Sequence, residues 1–184
     1  MKNKKSPWKT LSSKVIYKNP WLSLREDRVI QPNGKPGIYS VVKTRGVSVF
    51  VIAINDSKQV CFVQQYRYPI KTWSWELPAG NSDGQPPLQS AKRELWEETG
   101  FTAKHWKKLG YFYPATGMFD EKTVVFYATG LTQTGKDKKI DDGIENVKFY
   151  SLPALLKLIN DHKITDGQTI ACLFFAQSRT SKLL

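Results

Sequence analysis

Two cysteines in 184 residues, Cys61 and Cys172, are too few and too far apart to make a disulfide framework or a paired zinc motif. Both read as buried thiols of a protein kept in a reducing compartment. No stretch supplies the ~18 apolar residues of a membrane span, and the basic residues 1–10 lead into no apolar core of signal-peptide length. The expected location is therefore the cytoplasm, with no membrane partner. Histidine is scarce too, and His105 and His162 stand isolated, so neither is assigned a catalytic role. Carboxylates are the minority charge: 28 basic residues against 16 acidic ones leave a net charge of +12. Such a field attracts nucleic acid, anionic membranes or phosphorylated small molecules. Nucleic-acid binders gather their basic residues on one face, whereas here they are spread along the chain, so a nucleic-acid partner is not expected. What is present, 40% hydrophobic, 12% aromatic and 24% charged residues, excludes a disordered, collagen-like or coiled-coil chain. The length suits one globular domain, or one plus a small accessory layer.

No internal repeat or low-complexity linker interrupts the sequence. Residues 1–12 are expected to form a frayed basic arm. Val15, Tyr17, Trp21, Leu22, Leu24 and Val29 make short β-type runs, and Asn33-Gly34 is a turn signal leading into residues 38–43, which indicates a small antiparallel sheet. Residues 47–54 are nearly all apolar and β-branched; a turn at 55–57 and a return over 60–66 read as a buried hairpin. Helix signals begin at Pro86-Pro87 and stop at Gly100, a natural left-handed cap, with Leu88, Ala91 and Leu95 forming one apolar stripe. Strands follow over 109–113, 123–128 and 147–150. Ser151 reads as the N-cap of a helix through Asn160, and Asp166 as the cap of another reaching about Ala176. Strands, one helix, strands and two helices indicate an α/β or α+β sandwich and exclude a doubly wound parallel sheet, because the first half has no crossover helices.

The chemistry concentrates on the first helix. In Arg93-Glu94-Leu95-Trp96-Glu97-Glu98-Thr99-Gly100-Phe101, three carboxylates stand at i, i+3 and i+4, so a helix places them on one face. Like charges at this spacing cost roughly 0.2–0.5 kcal/mol per pair, and the C-terminal end of a helix disfavours negative charge. Compensating cations resolve the conflict: Arg93 reaches Glu97 across one turn, and the remaining oxygens suit a hard divalent ion such as Mg²⁺. Taken alone, such a cluster is an ordinary solvated acidic face.

Its context decides otherwise. From Glu76-Leu77-Pro78-Ala79-Gly80 to Phe101 the sequence resembles the signature of the Nudix hydrolase family: glycine, five residues, glutamate, seven residues, then Arg-Glu-U-x-Glu-Glu-x-Gly-U, with U aliphatic or aromatic. Gly80, Arg93, Glu94, Leu95, Glu97, Glu98, Gly100 and Phe101 fall in register. Two departures stand out. Gln85 occupies the place of the first glutamate, and only four residues separate it from Gly80, which puts loop shape and helix bracing in question more than catalysis. Asn19-Pro20-Trp21, Gln65-Tyr66-Arg67, Ser74-Trp75-Glu76 and Asp166-Gly167-Gln168-Thr169 further resemble the ADP-ribose and nucleoside-diphosphate-sugar pyrophosphatase branch.

The resemblance implies a Nudix-type α/β/α sandwich with a mixed sheet over residues 45–184, preceded over 1–44 by an arm and a small antiparallel sheet that serves dimerisation and the nucleotide site. It implies Mg²⁺, with Mn²⁺ as a substitute, held by Glu94, Glu98, Glu97 (directly or through water) and the Ala79 carbonyl. Arg93 orients these carboxylates; as an exposed ion pair alone it would contribute only about 0–1 kcal/mol. Glu145, in the segment 141–145 where the branch carries a mobile catalytic loop, is the expected general base, with Glu98 in reserve. A positioned base contributes about 10²–10⁴ in rate. For the substrate, a nucleotide sugar, Arg67 would fork onto phosphate, Glu76 would contribute at the same site, Glu121 would hold the distal sugar, and Trp21 or Trp75 would stack on the base, Trp73, Trp75 and Trp96 otherwise serving as core or rim. The implied reaction is Mg-dependent hydrolysis of the pyrophosphate bond in a homodimer. The alternatives are a dinucleoside polyphosphate or capped-RNA hydrolase, or a non-catalytic nucleotide- or RNA-binding module, against which the three intact glutamates argue.

Overall fold

The structure, a computed structural model, describes residues 5–135 and 143–179. Contacts divide the chain into two compact units, Met1–Arg45 with Ala115–Glu121, and Gly46–Pro114 with Lys122–Leu184.

The first unit is an antiparallel meander of β1 (Lys9–Lys18), β2 (Leu22–Ile30) and β3 (Pro36–Thr44), in that order. The expected arm is shorter than the sequence suggested: Lys9 already pairs with Ile30 and Thr10 with Val29, so cross-strand partners order the basic stretch from Lys9 onward. Gly34, at φ 80°, closes the turn before β3, a left-handed conformation that glycine adopts without steric cost. Every residue of β1 is exposed, including Leu11, Val15, Ile16 and Tyr17. Asp27 on β2 is buried; the Ser13 hydroxyl and then the Arg25 guanidinium, which donates to both its oxygens, hold its carboxyl below the usual range. The second segment joins through Phe119, which bridges Val42, and through Gly117, whose carbonyl accepts the Tyr39 hydroxyl at 2.9 Å.

The second unit is built around β4 (Ser48–Ala53). It lies between β7 (Ala79–Asn81), antiparallel, and β9 (Thr123–Gln133), parallel, with β8 (Phe101–Phe112) at the edge beyond β9. A second sheet runs β10 (Ile144–Tyr150), β5 (Val60–Arg67), β6 (Thr72–Glu76), all antiparallel. The expected β4–β5 hairpin is therefore corrected: the two strands meet only at Ile54 and Val60 and then enter different sheets. An all-apolar strand needs cover on both faces. For β4, Val49, Val51 and Ala53 pack with Ala91 and Leu95 of α1 (Pro87–Thr99), while Phe50 and Ile52 pack with Leu155 of α2 (Leu152–Asn160) and with Leu173 and Ala176 of α3 (Gly167–Arg179). Helices thus cover both faces of a mixed sheet, the expected sandwich.

Helix ends follow their signals. Gly100 takes φ 72° and its N–H closes on the Trp96 carbonyl at 2.9 Å; Asp166 accepts the Thr169 N–H at 2.7 Å and caps α3. Leu88, the first member of the expected stripe on α1, stays exposed, leaving Ala91 and Leu95 to anchor the helix. β8 starts eight residues earlier than expected because outward Lys104, Lys107 and Lys108 mask its period. Edge strands commonly carry such lysines, which blunt unwanted pairing. Among the described residues, no helix is long and apolar enough to cross a membrane.

Candidate active site

Between β6 and β7 the chain crosses from one sheet to the other through Leu77 and Pro78. β7 then lies beneath α1. Glu98, in the last turn of α1, accepts the Ala79 N–H through Oε2 at 2.9 Å. A Cβ at Gly80 would land on the Glu94 carboxylate, so only glycine lets that side chain settle against the turn. Both carboxylates are largely buried, Glu94 at 9% and Glu98 at 5% exposure, while Glu97 is half-buried. Arg93 ties the group together: Nη2 lies 2.7 Å from Glu94 Oε1 and donates to the Asn81 carbonyl at 3.0 Å, and Nη1 donates to Glu97 Oε2 at 3.0 Å. Burial alone would lower the Arg93 pKa, but the Glu94 and Glu97 carboxylates outweigh it and the pKa rises. The guanidinium is thus a permanent charge that relieves the repulsion expected along this face. The shortened loop closes in a tight turn, with Asp83 at φ 48° and Gly84 at φ 81° and the Gln85 N–H donating to the Ser82 carbonyl at 2.8 Å. Gln85 is exposed.

Across the second sheet, Arg67 ends β5 and Glu76 ends β6. Register puts them on one face, with Glu76 opposite Val63 and Arg67 opposite Thr72. Arg67 Nε donates to Glu76 Oε1 at 3.0 Å and Oε2 at 3.1 Å, and Nη2 donates to Oε2. Glu76 is 1% exposed. These bonds raise the Arg67 pKa against the opposing effect of burial, and the charges of Asp166 and Glu98 add to the rise. The fork expected for phosphate is therefore closed on Glu76, and Nη1 is the nitrogen outside that pair. Glu98 is also felt at Cys61: burial first and this carboxylate second push the thiol up to about 12. Cys61 is thus a protonated core residue and no nucleophile. Arg67, Ser74, Glu76, Asp166 and Gly167 line a cavity of about 220 Å³.

Glu145 is exposed and stands on a strand, not in the loop where it was expected. β10 begins at Ile144, which pairs with Gln65, while Asn146 pairs with Gln64, so Glu145 is the extra residue of a bulge. A bulge releases a side chain from the regular alternation and re-aims it. Asp141 and Asp142 lie outside the described residues. Trp21 belongs to the first unit and is 71% exposed. Its turn is held by Asn19, whose side-chain oxygen accepts the N–H groups of Trp21 at 2.9 Å and Leu22 at 2.8 Å. Lys18, Lys43 and Arg45 join it around a cavity of about 340 Å³. Sequence reasoning missed these three cations, because strand register rather than sequence spacing gathers them. Glu121, half-buried, closes the second segment of the first unit. Trp75 is 8% exposed and packs edge-on against Tyr150 at 5.3 Å, so it is a core residue and unavailable to a base. Trp96 is half-buried and Trp73 exposed.

The donors on this helix and turn are all oxygens. Among the described residues, no three His, Cys, Asp or Glu side chains converge closely enough to cage a metal by themselves. Two buried carboxylates supplemented by a backbone carbonyl and waters match Mg²⁺, which keeps several waters and rarely uses an all-protein cage. The residues present fit that ion.

Residues 8–42 match the family model described as nucleoside diphosphate sugar hydrolase N-terminal domain, and residues 44–171 match the NUDIX domain. A Bacillus subtilis protein named ADP-ribose pyrophosphatase is 33% identical over 92% of this chain and 92% of its own. One of the same name from Mycobacterium tuberculosis is 37% identical over 70% of this chain and 63% of its own. The crystal structure of an ADP compounds hydrolase superposes with a TM-score of 0.82 at 17% identity, covering 96% of this chain and 97% of that one. This last likeness concerns the fold.

Proposed function

The chain belongs to the Nudix hydrolase family, and from that premise we propose that it hydrolyses the pyrophosphate bond of ADP-ribose or a related nucleoside-diphosphate sugar, giving a nucleoside monophosphate and a sugar phosphate. The observation that carries this reading is the pair of buried carboxylates, Glu94 and Glu98, seated on the Ala79–Gly80 turn with Arg93 as counter-charge. Glu94, Glu98 and the Ala79 carbonyl would hold Mg²⁺, or Mn²⁺ in its place, with Glu97 a direct or water-mediated ligand. The chemistry supplied by the bound ion is charge neutralisation at the phosphate oxygens and a lowered pKa for the attacking water.

The protein's own residues do the rest. Arg93 keeps the carboxylates oriented. Glu145 takes the proton from water as it attacks phosphorus, with Glu98 in reserve. Arg67, braced by Glu76, offers Nη1 to a phosphate oxygen; a guanidinium fixed in this way loses little freedom on binding. Trp21 stacks on the base, and Glu121 accepts from hydroxyls of the distal sugar. A panel of ADP-ribose, ADP-, GDP- and UDP-sugars and dinucleoside polyphosphates with Mg²⁺, with products identified by mass, tests the reading. Turnover confined to dinucleoside polyphosphates would refute it.

We further assign residues 1–44 to dimerisation and the nucleotide site, and 45–184 to the hydrolase domain. The exposed Leu11, Val15, Ile16 and Tyr17 of β1 support a homodimer, since a three-stranded sheet is too small to bury them alone. Light scattering at micromolar concentration is expected to give twice the chain mass; a fully active monomer would contradict it. The two free, buried thiols support a cytoplasmic location.

A further inference from the structure

The turn that carries Ala79 and Gly80 has an anchor outside the family signature. Leu77 and Pro78 belong to no strand, since they span the gap between β6 in one sheet and β7 in the other. Their backbone groups are nevertheless inside the protein, with Leu77 almost fully buried, so each needs a partner. Pro78 has no N–H, and its carbonyl accepts from Val51 N–H at 2.9 Å. The Leu77 N–H has no strand to pair with and donates to the Thr169 side-chain oxygen at 3.2 Å.

Thr169 is fully buried and lies in the first turn of α3. Two bonds fix that turn. Asp166 accepts the Thr169 N–H at 2.7 Å, and the neighbouring Gln168 side-chain oxygen Oε1 accepts the Thr123 hydroxyl at 2.6 Å; Thr123 in turn stands opposite Ser48, which is itself opposite Asn81 on β7. The start of α3 is thus tied to the segment carrying Glu76, Ala79 and Gly80 by the bond from the Leu77 N–H to the Thr169 hydroxyl oxygen, and to β9 by the bond from the Thr123 hydroxyl to Gln168. From the Leu77 N–H the chain needs only two residues to reach the Ala79 N–H, which Glu98 accepts at 2.9 Å.

We propose that Thr169 is a positioning residue for the metal-holding turn: its hydroxyl fixes the Leu77 amide, and through it the Ala79 carbonyl and the Glu98 carboxylate. The proposal rests on the reading of Glu94, Glu98 and Ala79 as the ion's ligands. Outer groups that orient metal ligands are worth as much as 10–100-fold in metal affinity or activity when removed. Only Pro78, held to β4 by its carbonyl, separates Leu77 from Ala79, so a shift of the Leu77 amide is passed to Ala79 through a single residue.

The experiment compares wild type, Thr169→Val, Thr169→Ser and Leu155→Val, the last a core change in α2 distant in sequence from the turn. Mn²⁺ binding is followed by electron paramagnetic resonance, and exchange of the Leu77 amide by NMR in metal-free protein. Thr169→Val keeps the shape and removes the acceptor; we expect Mn²⁺ affinity and kcat to fall by about 10–100-fold and Leu77 exchange to quicken, while Thr169→Ser stays within a few-fold of wild type. Leu155→Val should lower thermal stability and leave Mn²⁺ affinity unchanged. Mn²⁺ binding by Thr169→Val equal to wild type, a loss matched by Leu155→Val, or no rescue by serine overturns the positioning role. A wild-type protein that binds no Mn²⁺ overturns the ligand assignment itself.

Discussion

Glu98→Gln is expected to leave a folded protein with almost no turnover, and Glu94→Gln the same. The amide oxygen that the first substitution introduces can still accept from Ala79 N–H, so the contact holding the end of α1 to the turn survives. Lost is the negative charge, at a site where burial makes charge count most. Stabilisation by a bound ion is worth several kcal/mol in the transition state, and each 1.36 kcal/mol is tenfold, so a fall in kcat of about 10³-fold is expected for either variant. At position 94 the amide oxygen can still accept from Arg93 Nη2, but the charge that pairs with the guanidinium is lost. Steady-state rates at saturating Mg²⁺, with circular dichroism to confirm the fold, test this. Activity within a few-fold of wild type for both would dismiss the two glutamates as ligands.

Glu145→Gln is expected to lower kcat by about 10²–10⁴-fold, the range for a positioned general base, with little change in KM. The loss is confined to the chemical step because Glu145 is proposed to meet the water and not the substrate's binding groups. Its place in the bulge suits that role: the residue is unpaired in the ladder between Ile144 and Asn146, so its carboxylate is not bound to the pleat's alternation. A kcat unchanged in Glu145→Gln, beside a large loss in Glu98→Gln, would move the base to Glu98.

The parts legible in the sequence are those whose signals are local. Helix α1 announces itself by Pro87, its stripe at Ala91 and Leu95 and the stop at Gly100, and the three glutamates take one face from spacing alone. Asp166 at the start of α3 is equally local. What could not be read depends on pairing between distant strands. β4 and β5 look like a hairpin because both are apolar, yet β4 is claimed by β9, more than seventy residues away in the chain. The partner of Arg67 is set by the β5–β6 register, which closes through a 3-10 turn at Tyr68–Ile70 and a left-handed Lys71, neither signalled by glycine or asparagine. Two nitrogens of the fork that the sequence assigns to phosphate therefore meet buried Glu76, and Nη1 lies outside that pair. The cations around Trp21 escaped for the same reason, since Lys18, Lys43 and Arg45 become neighbours only once β1, β2 and β3 pair. The anchoring of Leu77 by Thr169 joins residues ninety-two apart.

Hydrolysis of ADP-ribose in ¹⁸O-water with Mg²⁺, followed by mass analysis of the products, probes the central claim most directly. Attack of water on phosphorus beside Glu94 and Glu98 predicts AMP and ribose 5-phosphate, with one ¹⁸O in the phosphate of one of them. Label in a sugar hydroxyl, or ADP among the products, would show that the ester bond joining the diphosphate to the terminal ribose is cut and would contradict it.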